Sequence, residues 1–164
     1  MGDVAITDGR PDGYTTLTPF LVCSPAAEAI RFYEEVFGAT TVSRMDAPDG
    51  TVAHAELQFP VGRLQLGDPN PQFGLAAPTG QAEDRVSGST CIYVPDVDAV
   101  VAAAVARGAT LREEPATFVT GDRFASVYDP FGHRWAIMTR VEDVSPEEAE
   151  RRLAAWAASG GLEE

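Results

Sequence analysis

Pro25-Ala-Ala-Glu-Ala29-Ile30-Arg-Phe-Tyr-Glu-Glu-Val-Phe-Gly38-Ala39-Thr40 decides the fold, because its skeleton returns 70 positions later as Pro95, Ala99 and Gly108-Ala109-Thr110. Val22 and Ile92, and Ile30 and Val100, are similar pairs at the same offset. A second landmark, Pro60-Val61-Gly62, meets Pro130-Phe131-Gly132. Two landmarks sharing one offset mark an internal repeat, so the chain reads as a duplicated module, with a pseudo-twofold relation between residues near 15–66 and 88–138.

Within the first copy, Ala29, Ile30, Phe32, Tyr33, Val36 and Phe37 fall at three- and four-residue spacings opposite Glu28, Arg31, Glu34 and Glu35. That spacing predicts an amphipathic helix whose aromatics are core. Ser24-Pro25 supplies a cap-like residue and a first-turn proline, and Gly38 the stop. A β-rich run from Thr16 to Cys23 precedes the helix, and strands at Thr40–Met45, Val52–Phe59 and Arg63–Leu66 follow, divided by turn signals at Asp49-Gly50 and Val61-Gly62. The second copy gives a strand at Thr90–Val94, a helix at Val97–Arg107, and strands near Thr110–Arg112, Arg123–Tyr128 and His133–Thr139. The fold class is therefore α+β, two tandem βαβββ modules. Ser145-Pro146-Glu147-Glu148 carries a capping box and opens a C-terminal helix to about Ser159. The stripe Leu153, Trp156 and Ala157 is expected to dock it on the sheet or on a partner subunit.

The organisation expected is one domain over residues 1–142 and a helical tail over 143–164. The domain comprises a module at about 14–66, a connection at 67–88 and a module at about 89–140. The connection is rich in Gly, Pro, Asn, Gln and Asp, and is either a binding loop, a lid or a plain linker.

With 25 Asp and Glu against 12 Lys and Arg, the formal charge is −13, which repels phosphate backbones and anionic lipid. Nucleic-acid and membrane partners are thereby disfavoured. No basic leader or long apolar run appears, and a cytoplasmic protein is expected. Cys23 and Cys91 sit in apolar β-prone stretches and read as buried free thiols. Lysine is absent, which removes Schiff-base chemistry through a side-chain amine.

The duplicated module, the helix ending at Gly38 and the hairpin Asp129-Pro-Phe-Gly-His-Arg-Trp135 together resemble the vicinal-oxygen-chelate superfamily, the glyoxalase and bleomycin-resistance fold, over about residues 12–140. Asp12-Gly-Tyr-Thr-Thr-Leu-Thr-Pro-Phe20 and Val141-Glu-Asp-Val-Ser-Pro-Glu-Glu148 resemble its PhnB-like branch. The resemblance implies that the modules curl into one cupped mixed sheet, with metal-using members placing four His, Gln or Glu ligands on the first and fourth strands of each. Here Thr18 and Ser89 stand at the first-strand positions and Ala136 at the last. The remaining position is Gln65 by strand pattern or Leu66 by the repeat. Hydroxyls, a methyl and at most one amide do not make a transition-metal site, so no metal and no cofactor are expected.

By strand alternation the cleft that the resemblance implies is lined by Thr18, Phe20, Arg63, Gln65, Ser89, Cys91, Arg134, Ala136 and Met138. His54 and Glu56 alternate onto one face of the third strand, where they form either a general base with its orienting partner or an ordinary surface pair. His133 reads as a hairpin residue, Trp135 and Trp156 as packing. Three functions are compatible: metal-independent binding or sequestration of a small aromatic or cationic molecule, as bleomycin-resistance relatives suggest; a metal-free isomerase or lyase acting through His54 and Glu56; or a structural or regulatory subunit with a vestigial cleft. A homodimer is expected, since open sheet edges need covering.

Overall fold

A computed structural model of the chain describes residues 9–79 and 84–161. The elements run β1 (Phe20–Val22), α1 (Ala26–Phe37), β2 (Thr40–Asp46), β3 (Val52–Gln58), β4 (Arg63–Gly67), a 3₁₀ turn (Pro71–Phe73), β5 (Thr90–Tyr93), α2 (Val97–Ala106), β6 (Thr110–Thr117), β7 (Asp122–Tyr128), β8 (Arg134–Arg140) and α3 (Pro146–Ala158). They form two four-stranded mixed sheets with the orders β1-β4-β3-β2 and β5-β8-β7-β6. The chain divides into two compact units, Met1–Glu83 with Pro130–Gly132, and Asp84–Asp129 with His133–Glu164. Each repeats the order βαβββ, as the repeat requires.

In the first unit α1 forms because its apolar stripe has a sheet to cover: it packs on β2 and β3, and Ala29, Ile30, Tyr33 and Phe37 are buried with Ala55, Leu57, Leu64 and Leu66. Burying each large side chain contributes on the order of 1.5–3 kcal/mol. Phe131, in the Pro130–Gly132 turn, sets its ring edge-on to Phe32 and Tyr33 at 6.1 and 6.4 Å. The N-terminus of α1 is not capped by Ser24. Pro25 occupies the cap without a side-chain bond. Asp68 closes it from beyond β4 instead, with Oδ1 accepting from Ala26 N at 3.0 Å and Oδ2 from Val52 N at 2.8 Å. Gly38 ends the helix in the left-handed region at φ 68°, its N–H donating to Tyr33 O.

The second unit lays α2 on β6, β7 and β8 over Ala125, Val127, Trp135 and Ile137. Asp96 caps α2 through Ala99 N at 3.0 Å, and Thr139 Oγ1 accepts from Val97 N at 2.9 Å. The β7–β8 turn is tied by Asp129, wholly buried, which accepts from Trp135 Nε1 and from His133 N, both at 2.9 Å.

Four features differ from the sequence reading. The first strand spans only Phe20–Val22 and excludes Thr18. β6 continues through Pro115 to Thr117 because it is an edge strand, where a missing N–H interrupts no ladder. Residues 67–79 include the 3₁₀ turn, capped by Asn70 and closed by the Asn70–Leu75 bridge, so that part of the connection is not structureless. Helix α3 begins as expected, with Ser145 Oγ accepting from Glu148 N at 3.2 Å, while the Glu148 carboxylate turns to Arg151 and Arg152. Its stripe does not dock on a sheet. Trp156 meets Phe118 edge-on at 5.1 Å, beside the β6–β7 turn, and Leu153 and Ala157 remain exposed.

Candidate functional site

Alternation along β3 sends Ala55 and Leu57 into the core under α1 and turns His54, Glu56 and Gln58 to the opposite face. β4 does the same with Leu64 and Leu66 against Arg63 and Gln65. Ladder register then groups these side chains: Glu56 lies opposite Gln65, Gln58 opposite Arg63, and Phe20 opposite Gln65. Of Gln65 and Leu66, Gln65 is the one on this face, since Leu66 is fully buried. The second unit places Ala136 opposite Ser126, as Gln65 stands opposite Glu56. The β7–β8 turn is one residue longer than the β3–β4 turn, so the repeat offset slips by one between its landmarks and the last strand.

The result on the helix-free face of the first unit is a carboxylate ringed by donors. Glu56 accepts from Arg63 Nη1 at 3.2 Å and Gln65 Nε2 at 3.3 Å, and His54 Nε2 lies 3.5 Å from Oε1. A hydrogen bond from the Tyr14 hydroxyl is the strongest influence holding Glu56 below the usual carboxylate range; His54, Gln65 and Arg63 act in the same sense, against partial burial. Arg63 is fixed in turn by Gln58 Oε1 at 2.9 Å and by the Tyr14 ring, 4.3 Å from its guanidinium carbon. The Phe20 ring stands 5.9 Å from that of His54 at a 32° tilt. Thr18 contributes nothing to this group, its hydroxyl folding back to Thr15 O at 3.4 Å.

On the face of the second unit turned away from α2, Cys91 pairs in register with Ala136, and Tyr93 with Met138. Phe124 flanks Met138 on the other side and Tyr128 faces Arg134. Ser89 spends its hydroxyl on Arg134 O at 3.2 Å. Cys91 is exposed, not buried: the strand alternation that hides Ile137 on the opposite face puts Cys91 on this one, while Cys23 is buried against the Tyr33 hydroxyl. The Cys91 thiol donates to Met138 Sδ at 3.2 Å. Desolvation, and then the charge of Asp122, push its pKa up.

The residues foreseen from sequence thus fall into one polar group (Phe20, His54, Glu56, Arg63, Gln65) and one soft group (Cys91, Ala136, Met138, with Arg134 and Ser89 at the rim). Tyr14, Gln58, Tyr93 and Phe124 were not foreseen. Gln58, Tyr93 and Phe124 obey the alternation already used for their neighbours and could have been found by extending it. Tyr14 lies in irregular chain without periodicity, where no pattern points to it. Among the described residues, no three His, Cys, Asp or Glu side chains are grouped to hold a metal ion, and no helix is long and apolar enough to cross a membrane.

A family profile described as Glyoxalase/Bleomycin resistance protein/Dioxygenase superfamily matches residues 14–137. An uncharacterized protein of Mycobacterium tuberculosis (strain CDC 1551 / Oshkosh) is 34% identical over 155 residues, covering 94% of this chain and 89% of that protein. Among solved structures, TioX from Micromonospora sp. ML1 superposes with a TM-score of 0.60 at 22% identity, covering 77% of this chain and 98% of that one. The fosfomycin resistance protein FosX from Listeria monocytogenes, in complex with Mn(II) and sulfate, gives 0.61 at 12% identity, covering 85% and 97%.

Proposed function

Because the chain belongs to the glyoxalase/bleomycin resistance protein/dioxygenase superfamily, we propose that it binds or sequesters a small aromatic or cationic molecule on the helix-free faces of its sheets, without a metal ion. The observation that carries this is the Phe20–His54 ring pair beside a carboxylate whose charge is held by Tyr14, Gln65, Arg63 and His54. Rings and a fixed charge recognise a flat or cationic ligand; a charge held so firmly makes a poor proton acceptor. A net charge of −13 draws cations toward the whole molecule.

The metal of other superfamily members does not fit the residues present. The positions that the resemblance assigns to ligands hold two hydroxyls (Thr18, Ser89), one amide (Gln65) and one methyl (Ala136). Such a set lacks the imidazole, thiolate or carboxylate donors that a divalent transition metal requires. We place the chain in the PhnB-like branch on Asp12–Phe20 and Val141–Glu148, and expect a homodimer.

A thermal-shift screen of bleomycin and of small neutral and cationic aromatics, run in EDTA, tests the reading. A ligand at a hundred times its Kd stabilises by about 2.7 kcal/mol, or roughly 5–10 °C at this chain length. Phe20→Ala and Glu56→Gln should each reduce the shift. The proposal fails if nothing in the panel stabilises the protein, or if stabilisation requires added zinc or manganese.

A second reading, a metal-free isomerase or lyase, draws on the 3.5 Å approach of His54 to Glu56. Its weakness is the depressed Glu56, and it predicts turnover that His54→Ala abolishes.

A further inference from the structure

Asp122 opens β7, and ladder register turns it, with Phe124 and Ser126, to the face that also carries Cys91, Tyr93, Ala136 and Met138. It is only 7% exposed. Oδ2 accepts from Arg140 Nη1 at 3.1 Å, but Oδ1 is buried without a hydrogen-bond partner. Arg140 Nη1 is itself shared with Thr120 O at 2.9 Å. Buried carboxylate oxygens are ordinarily satisfied, because desolvating one without a donor is unfavourable. An acceptor so placed gains from any N–H that reaches it.

The surroundings select what could bring that N–H. Asp122 lies close enough to Tyr93 that, after desolvation, its charge is what pushes the phenol's pKa up. Tyr93 is 63% exposed and stands opposite Met138, which stands opposite Phe124. Two rings and a thioether favour an organic cation with an apolar body, through ring-face attraction and soft dispersion contacts. Hard metal ions want several oxygens, which this face does not offer. No lysine exists in the chain to fill the position from within.

We propose that this face of the second unit binds a primary or secondary organic ammonium, with Asp122 Oδ1 accepting its N–H and Tyr93, Phe124 and Met138 holding its apolar part. The proposal rests on the reading that the sheet faces bind a small molecule, and it names the class.

The test is an NMR titration at pH 7 of protein carrying ¹³C-methyl methionine, with benzylamine as the cation and benzyl alcohol as its neutral counterpart. Benzylammonium should bind about tenfold more tightly and move the Met138 methyl signal, leaving that of Met45 unchanged. Asp122→Asn should bring the two affinities together at the Met138 signal, and Tyr93→Ala should weaken both. Equal affinities in the unaltered protein overturn the ammonium assignment while leaving small-molecule binding standing. A preference that survives Asp122→Asn but not Glu56→Gln places the cation on the other unit and also overturns it. Binding of neither probe overturns the proposal together with the reading beneath it. If Asp122→Asn does not fold, by far-UV circular dichroism, the exposed Tyr93→Ala and the Met138 signal decide alone.

Discussion

Replacing Asp129 by alanine removes the acceptor for two donors at once. Trp135, 1% exposed, loses the partner of its indole N–H, and His133 loses the one at its backbone N–H, each now bonded at 2.9 Å. A buried donor left unsatisfied costs about 1–3 kcal/mol, and the one on His133 counts less because that site is only partly buried. The sum is about 2–4 kcal/mol, which at this chain length lowers Tm by roughly 4–16 °C. Asp129→Asn retains one carbonyl acceptor and should lose about half as much. Urea unfolding followed by far-UV circular dichroism reads the change as a lower midpoint at constant slope. The cycle with Trp135→Phe should show a coupling of about 1–2 kcal/mol, since either substitution breaks the same bond. A loss under about 1 kcal/mol for Asp129→Ala, or strict additivity in the cycle, would refute the claim that this carboxylate fixes the turn and hence the face that β8 presents.

Tyr14→Phe removes the strongest influence depressing Glu56, so its pKa should rise toward the ordinary value, read by ¹³C NMR of the labelled carboxylate. A depressed carboxylate stabilises the fold above its unfolded pKa and loses that contribution as pH falls through the folded value; in the variant the contribution should be smaller and its loss complete at a higher pH. An unchanged titration would remove Tyr14 from the site. Gly13→Ala should destabilise by about 1–3 kcal/mol, because φ is 81° and the new Cβ would lie 2.8 Å from Arg63 Nη2; unchanged thermal unfolding would contradict this. Trp156→Ala should free the C-terminal helix to limited proteolysis after α3 loses its ring contact with Phe118, with the far-UV signal of the sheets unaltered. Protection equal to that of the parent would show that Arg152, bonded to Glu142 and Val119 O, holds α3 unaided.

What the sequence made legible is what short-range periodicity encodes. The stripe through Ile30, Tyr33 and Phe37, the stop at Gly38 and the alternation through His54 and Glu56 all depend on neighbours a few positions away. The same rule set Phe20, Arg63 and Gln65 on one expected face and His54 with Glu56 on one face of β3, without joining the two sets. It failed where a partner lies far along the chain. Asp68 caps a helix that begins at Ala26, and Tyr14 reaches a carboxylate at position 56; neither has a local signature. The hidden insertion in the β7–β8 turn misled differently, since a constant offset assumes equal loops and pointed to Leu66. Cys91 was misread because apolar neighbours in sequence do not determine which face of a strand a residue takes.

Each sheet is completed by a parallel ladder between its first and last strands, Phe20 with Gln65 and Thr90 with Trp135. During synthesis β1 therefore emerges with no strand to pair with, and only after the helix and two more strands have left the ribosome does its ladder exist. Such distant closure slows folding and leaves apolar edges available for wrong pairing in the interval. A truncation that ends before Arg63 or before Arg134 should strand the opening segment of that half permanently, so expression of clipped versions is expected to yield aggregate, not a smaller folded piece.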